Sequence, residues 1–505
     1  MQVKILILIP INIKDDKMIE LCRLKCLSFC CTSILHIVLF SNQTFAQSIS
    51  SSNIVPDSTL GSSSSRVRPL DTAGFAVDLI ESGAVRGNNL FHSFREFNVS
   101  AGRGAYFLSP NVSIENIFTR VTGNNVSNIL GTLGTIGNSR PNLFLINPNG
   151  IIFGQNASLD IGGSFIASTA SSLNFADGSQ FSASAPQNAS LLSISIPTGL
   201  RFRENAQGIQ VQGDGQGARR TSNLIDTTAG LRVGSNKTLA LVGGDISLEG
   251  ATLKTAGGRV ELGSVAGESV VSLNPALKGF ILNYDGVQNF GNIQLTQQAV
   301  VDASGEGAGD IQVTGKRVSV MGGGQIEAST LGTLPGGNVI VNAQELLEVA
   351  DKTQNNQVSG VYAQVYPNAT GNGASLTINT GDLILKNEGL ISTDVAGAGN
   401  GQNLTINANN LLTQNQGAIT AIVTAKGNAG IITINARDIN LNFSGIISRS
   451  ILPQVEGNAG NVSIVADTLK LTNRGLIDTS TSGKGNAGNI IINTKNISTD
   501  GGFIS

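Results

Sequence analysis

An all-β chain wound as a right-handed parallel β-helix is the fold this sequence predicts, and three observations predict it. A repeat of about 28 residues runs through the second half. Within each unit the apolar residues alternate as they do along strands. Gly, Asn and Ser punctuate those runs, and no window beyond residue 66 carries a long helical period with caps.

The repeat is laid out by counting. Ile311, Val339, Leu376, Leu404, Ile432, Val462 and Ile490 serve as anchors, at spacings of 28, 37, 28, 28, 30 and 28. Seven residues after each anchor stands another aliphatic: Val318, Leu346, Leu383, Leu411, Ile439, Leu469 and Ile497. Gly324, Gly389, Gly417, Gly445 and Gly475 follow five anchors at thirteen, and Ile326, Ile391, Ile419, Ile447 and Ile477 at fifteen. The Val339 unit carries about eight extra residues, KTQNNQVS, which moves its Gly to Gly360. Three short strands and three corners therefore make one rung, and no unit has room for a helix of ~10 residues, unlike leucine-rich or TPR solenoids. Asn342, Asn379, Asn407, Asn435 and Asn493 stand three past their anchors. Stacked, they would form an amide ladder; the alternative is that Asn tolerates the turn conformation. The chain stops at Ile504-Ser505, partway through a rung, so a fragment of a longer reading frame is expected.

Composition narrows the function. The 505 residues include 62 Gly, 40% apolar and only 13% charged residues, and no Trp, with a net charge of −2. Gly at about 12% exceeds the usual ~7%, and the charged share is about half its usual ~25%. No basic field is present to neutralise phosphates, which excludes nucleic acid as a partner. Ample apolar material excludes a charge-rich disordered chain.

All four cysteines (Cys22, Cys26, Cys30 and Cys31) lie near the N-terminus. There Arg23 and Lys25 flank the start of an apolar run, Cys26 to Phe40, which exits through Thr44-Phe45-Ala46. This is the layout of a secretory signal peptide over residues 1–46, cleaved between Ala46 and Gln47. The run is shorter than a membrane span of ~20 residues. Ser28 and Phe29 before Cys30 do not suit a lipobox, and Met18 is a candidate true start. Cleavage would leave 27 basic and 31 acidic residues, one histidine and no cysteine. Such a secreted chain has no disulfide staple and must be held by burial and backbone pairing. Residues 47–66 are Ser-rich and read as a flexible leader. Residues 113–122, SIENIFTRVT, are the best helix-like stretch, with Ile114, Ile117 and Val121 on one face.

Asn147-Pro148-Asn149-Gly150 between two apolar runs matches the type I turn preference for Asn, Pro and Gly at its first, second and fourth positions. Here the chain resembles the secretion domain of two-partner-secreted proteins, the filamentous haemagglutinin family. The resemblance covers residues 67–290 and rests on NPNGIIFG (147–154), LFHSFREFNVSAG (90–102), IENIFTRVTG (114–123), ASLDIGGSFIASTA (157–170) and LVGGDISLEGATLKTAGGRVELGSVAG (241–267). The family's second motif, Asn-Pro-Asn-Leu, is here the degenerate Ser109-Pro110-Asn111-Val112. The resemblance implies an N-terminal secretion domain capping the β-helix, with β-helix repeats over 291–505. It implies export by the Sec translocase and then by a dedicated outer-membrane β-barrel transporter with periplasmic docking domains. A surface or extracellular location in a Gram-negative-type bacterium follows. Asn147, Pro148, Asn149, Gly150 and Ile151 are the residues it marks for transporter recognition or for the fold. It also implies a surface adhesin that binds host or neighbouring cells, or alternatively the front end of a contact-dependent toxin or haemolysin.

No enzyme chemistry, cofactor or metal is expected. Nucleophilic catalysis would need His92, the one histidine left after cleavage, set among Phe91 and Phe94. One His and no Cys cannot supply a zinc site, and no GxxxxGK[ST] occurs. A polysaccharide-degrading β-helix enzyme remains a rival, because rungs could align Asp302, Glu306 and Asp310 with other carboxylates. Gly305-Glu306-Gly307-Ala308-Gly309-Asp310 has a faint likeness to a calcium nonapeptide but is unrepeated, and reads as a corner.

Overall fold

Side chains along a strand point alternately to its two faces, so a single in-register pairing fixes the environment of every residue in a rung. The computed structural model describes residues 51–72, 75–187, 192–217, 225–227 and 230–505, which fall within one compact unit, Ile49–Ser505. The proposed signal peptide, with Ala46 and Gln47, lies outside the described residues. Strands Ser375–Lys386, Leu404–Gln414, Ile432–Asn442 and Val462–Thr472 pair in parallel, with Leu376, Leu404, Ile432 and Val462 in one column. Each of these anchors, and Ile378, Ile406, Ile434 and Ile464 two residues on, is fully buried. The chain is a parallel β-helix.

Each rung is simpler than three separate strands. A single strand of eleven to thirteen residues runs through the first corner without breaking and supplies two faces. A three-residue strand such as Leu390–Ser392 supplies the third. The long strands belong to a 20-stranded sheet and the short ones to a 10-stranded sheet. The second corner holds two successive left-handed residues, such as Asn415 (φ 49°) and Gln416 (φ 66°). Gly417 follows, and a Cβ there would stand 2.5 Å from the Leu385 carbonyl oxygen of the preceding rung. Close backbone approach, rather than an unusual φ, is thus what requires glycine at this point of the repeat.

Four amides make the ladder: Asn379 donates to Asn342, Asn407 to Asn379 and Asn435 to Asn407, each at 2.9 Å. Val465 interrupts it before Asn493. Counting misplaces four residues, one of them Gly445, which pairs with Ala418 and Leu476 and leaves the corner place to Ser444. Val318 pairs with Leu347, not Leu346, because one extra residue sits in the corner between Ala343 and Leu346. Gly360 pairs with Gln325, so Ser359 takes the place of the corner Gly. Ile446, not Ile447, continues the inward column from Ile419 to Ile477. Insertions and deletions inside corners leave no trace in the strand pattern.

The N-terminal end differs more. Residues 113–122 are not helical: Asn116–Val121 is a strand paired in parallel on both sides. All six of its residues are buried, so it is covered on both faces, and its Ile117 and Val121 with the preceding Ile114 imitate a helical stripe. The expected flexible leader contains the strand Asn53–Pro56, which pairs antiparallel with Asn89–Asn98 and covers part of the first rung's open edge. Ser65–Thr72 pairs antiparallel with Phe75–Ser82 beside it. Its exposed Arg66, Arg68, Pro69 and Asp71 discourage further strand addition.

An antiparallel sheet of five strands, Ser172–Phe175, Gln180–Ser182, Pro197–Phe202, Ser269–Ala276 and Gly279–Asn283, belongs to no rung. It packs on the outside of the solenoid over a second core. The outward column Phe91, Phe118, Phe144, Ile166 and Ala240 meets Leu173, Phe175, Phe181, Leu200 and Phe280 there. Rungs continue through residue 290, since Ile246–Glu249 pairs with Asn292–Thr296 and Arg259–Ser264 with Asp310–Met321.

Candidate functional site

The strand Asn142–Ile146 ends where the solenoid must turn into Ile151–Phe153, and Asn147 makes that turn. Its side chain is fully buried and its amide is saturated. Nδ2 donates to the Asn125 carbonyl (3.0 Å) and to Ser127 Oγ (2.9 Å). Oδ1 accepts from the Asn149 backbone N–H and from Asn149 Nδ2, both at 3.0 Å. The Gly150 N–H closes the turn onto the Asn147 carbonyl at 3.2 Å, with Gly150 at φ +112°, where a side chain would be strained. Asn149 Nδ2 also donates to the Gly123 carbonyl at 2.8 Å, tying the turn to the preceding rung. Ile151 is buried, while Pro148 and Asn149 are half-buried. Asn149 looks onto a cleft of about 360 Å³ that it shares with Val126, Ile152, Gln210, Ser247 and Gln294.

Ser109, Pro110, Asn111 and Val112 occupy a different corner, where Gly104–Ser109 leads toward Asn116–Val121. Asn111 Oδ1 accepts from the Ser113 N–H (3.0 Å) and hydroxyl (2.7 Å). Ser109 is buried, but Val112 is 75% exposed. The structure does not bring the two motifs together: among the described residues, 109–112 bond locally and 147–151 bond to Gly123, Asn125 and Ser127.

The family model described as TPS secretion domain, for two-partner secretion, matches residues 52–313. The chain belongs to the TPS secretion domain family. Its members are exoproteins exported through the outer membrane by a partner transporter. Among solved structures, the chain is similar to the HMW1 secretion domain from Haemophilus influenzae, at 16% identity and a TM-score of 0.45, covering 89% of this chain and 99% of that one. It is also similar to the filamentous hemagglutinin secretion domain, at 13% identity and a TM-score of 0.27, covering 90% and 98%. No curated protein matches.

Within the TPS domain, a second buried side chain with four hydrogen bonds escaped sequence reasoning. Arg120 is fully buried, donating to Ser93 Oγ, the Ser182 carbonyl and Thr59 Oγ1, each at 2.9 Å, and to the Gln187 carbonyl at 3.2 Å. Its guanidinium lies 4.4 Å from the Phe181 ring centre. Ser93 and Thr59 pass the charge on to Asp57, at 2.7 and 2.6 Å. Burial pulls Arg120 down to about 10, with Asp57 acting against it. Burial pushes the Asp57 carboxyl up, but hydrogen bonds from Thr122, Thr59 and Ser93 outweigh it and hold it below the usual range. One network therefore joins the N-terminal segment, the first rungs and the outer sheet. The signal in the sequence was an arginine between Thr119 and Val121 in a strand whose residues are all buried.

His92 is fully buried between Phe94 and Phe107, 3.0 Å from Ser65 Oγ. Burial holds its imidazole down to about 3, so it is neutral and enclosed. Asp302, Glu306 and Asp310, the carboxylates of the rival enzyme reading, do not converge on one another, although Asp302 aligns with Glu327 on the next strand. Asp302 is buried against Lys254 at 2.9 Å, Asp310 faces Lys278 at 3.1 Å and Arg259 at 3.7 Å, and Glu306 is exposed. Gly305, in the stretch likened to a calcium nonapeptide, bridges to Thr330 as part of a corner.

Proposed function

We propose that residues 67–290 direct this chain through a dedicated outer-membrane β-barrel transporter with periplasmic docking domains. Sec delivers the chain to the periplasm, and the signal peptide is cleaved after Ala46. The rungs of 291–505 then form the shaft of a surface adhesin that meets host or neighbouring cells. The observation that carries the export reading is the family match over 52–313. The low-charge, Asn-laddered shaft supports a structural role for the remainder. In this reading Asn147 to Ile151 act first on the fold: the saturated Asn147 amide sets the turn, and the turn presents Asn149 at the cleft. Ser109 to Val112 are a lesser motif, exposed from Pro110 onward.

The test is secretion of residues 18–505 from cells with and without the neighbouring barrel gene, comparing wild type with Asn147→Ala and Asn149→Ala. Barrel-dependent release supports the reading, and release indifferent to the barrel overturns it. Circular dichroism of the purified variants separates docking from folding, because a folded but unsecreted variant has lost a contact.

A further inference from the structure

On the short-strand face of the solenoid, one column of buried residues is ionisable. Thr252–Lys254, Val300–Asp302 and Gln325–Glu327 are successive parallel strands, and their last residues align as Lys254, Asp302 and Glu327. All three are almost wholly buried, at 1%, 4% and 2% exposure. Lys254 Nζ stands 2.9 Å from Asp302 Oδ2 and also donates to the Ser304 carbonyl at 2.8 Å. Asp302 Oδ1 accepts from the Ser304 N–H at 2.7 Å. Both partners are therefore clamped by the same short turn, with the amine held against the carboxyl group. Tyr362 follows Glu327 in the column, and Arg232 precedes Lys254 and is paired with Asp226.

We propose that Lys254 and Asp302 condense after folding into an intramolecular amide cross-link, with Glu327 carrying the proton. The Lys254 ammonium gives a proton to the carboxylate system, and neutral Nζ attacks the Asp302 carboxyl carbon. A C–N bond forms. A C–O bond breaks, the oxygen leaves as water with the protons shed by nitrogen, and Glu327 returns to its starting state. No oxidant or other reagent is consumed. Three features favour the step. A nitrogen held in hydrogen-bond contact with a carboxylate oxygen is already near attack distance from its carbon. Burial in a low dielectric disfavours the charged forms, and the amide removes both charges of the pair. A second buried carboxyl group, Glu327, is one strand away in register with Asp302.

The position also suits a staple. Between Lys254 and Asp302 the chain leaves the short-strand face to build Arg259–Ser264 and the outer hairpin Ser269–Ala276 and Gly279–Asn283, then returns. Closing so long a loop constrains the unfolded chain strongly. A chain without cysteine beyond residue 46 has no disulfide for that purpose. Because Lys254 and Asp302 meet, and Glu327 comes into register with Asp302, only in the stacked rungs, the bond forms after the unfolded chain has crossed the membrane.

The experiment is mass spectrometry of the full exported chain, purified from the medium, beside Lys254→Arg and Glu327→Gln. Proteolysis of the wild type is expected to yield a branched peptide joining the segments that contain Lys254 and Asp302. After correction for the substitution, the wild type is one water lighter than Lys254→Arg. Glu327→Gln is expected to lose most of the branched peptide. Separate linear peptides from the folded wild type overturn the proposal. So does a one-water deficit without a branched peptide, which would come from succinimide formation at an Asp-Gly pair such as Asp285-Gly286. Should either variant fail to fold, the wild-type digest alone decides.

Discussion

Replacing Asn147 by Ala removes two donated and two accepted hydrogen bonds from a fully buried amide. A net hydrogen bond is worth about 1 kcal/mol, and a buried group left without a partner costs about 1–3 kcal/mol more. The Asn125 carbonyl and the Asn149 N–H both lose their partner, so a local loss of about 3–5 kcal/mol is expected. Asn149→Ala removes only two donated bonds from a half-buried side chain and should cost about 1 kcal/mol. The assay is native-state hydrogen exchange over residues 123–130 and 143–154, where each ~1.4 kcal/mol of opening free energy is a factor of ten in rate. Asn147→Ala should exchange there about a hundredfold faster or more, and Asn149→Ala about five- to tenfold. Asn147→Asp keeps the acceptor for Asn149 but sets a buried carboxylate against the Asn125 carbonyl, and should be at least as damaging. An Asn147→Ala protein that exchanges within threefold of wild type would refute the claim that the turn acts through the fold. Secretion lost more completely in Asn149→Ala than in Asn147→Ala would point instead to direct contact with the transporter.

Three further outcomes follow from the same geometry. Arg120→Met leaves Asp57 without its cation and strips two buried and two half-buried acceptors, so thermal unfolding should show a loss of about 3–5 kcal/mol, and exchange in 53–63 should rise first. Arg120→Lys should recover little, since an ammonium cannot span that fork. Burial pushes the Glu261 carboxyl up to about 8 despite Arg259 at 2.9 Å. The folded state therefore holds a proton that the unfolded chain releases near pH 4.5, so stability should fall as pH rises from about 4.5 to 8 and then level off. A urea titration at pH 5 and pH 8.5 should show that decline in wild type and a smaller one in Glu261→Gln, and equal declines would contradict it. Gly417→Ala should cost about 1–3 kcal/mol, seen as faster exchange at the Leu404–Gln414 and Ala418–Thr420 strands, because its Cβ meets the Leu385 carbonyl.

The column that begins with Phe91, Phe118 and Phe144 shows where the reading of the sequence ran out. It passes through Ile166 and Ala240 to Glu261, and continues as Gln312, Ile340, Thr377, Thr405 and Thr433. Polar residues alternate with apolar ones only beyond the outer sheet, so the period-2 pattern was clear in the later rungs and hidden in the first. The same burial on both faces made 113–122 look helical. Arg120 and Asp57 were invisible for a related reason, because, apart from Thr59 beside Asp57, their partners lie 27 to 67 residues away in sequence.

By itself the sequence determined the solenoid, the rung period, the inward aliphatic columns, the Asn ladder and the NPNG turn. All of these are set by side-chain alternation and turn chemistry within one repeat, and parallel stacking copies them to the next. Tertiary structure alone decided the corner slips at Leu347, Ser359 and Ile446, and the antiparallel cover over the first rung. It also decided the outer sheet, the Arg120 network and the meeting of Lys254, Asp302 and Glu327. Each of these depends on which distant strands become neighbours, and no local propensity or spacing encodes that choice.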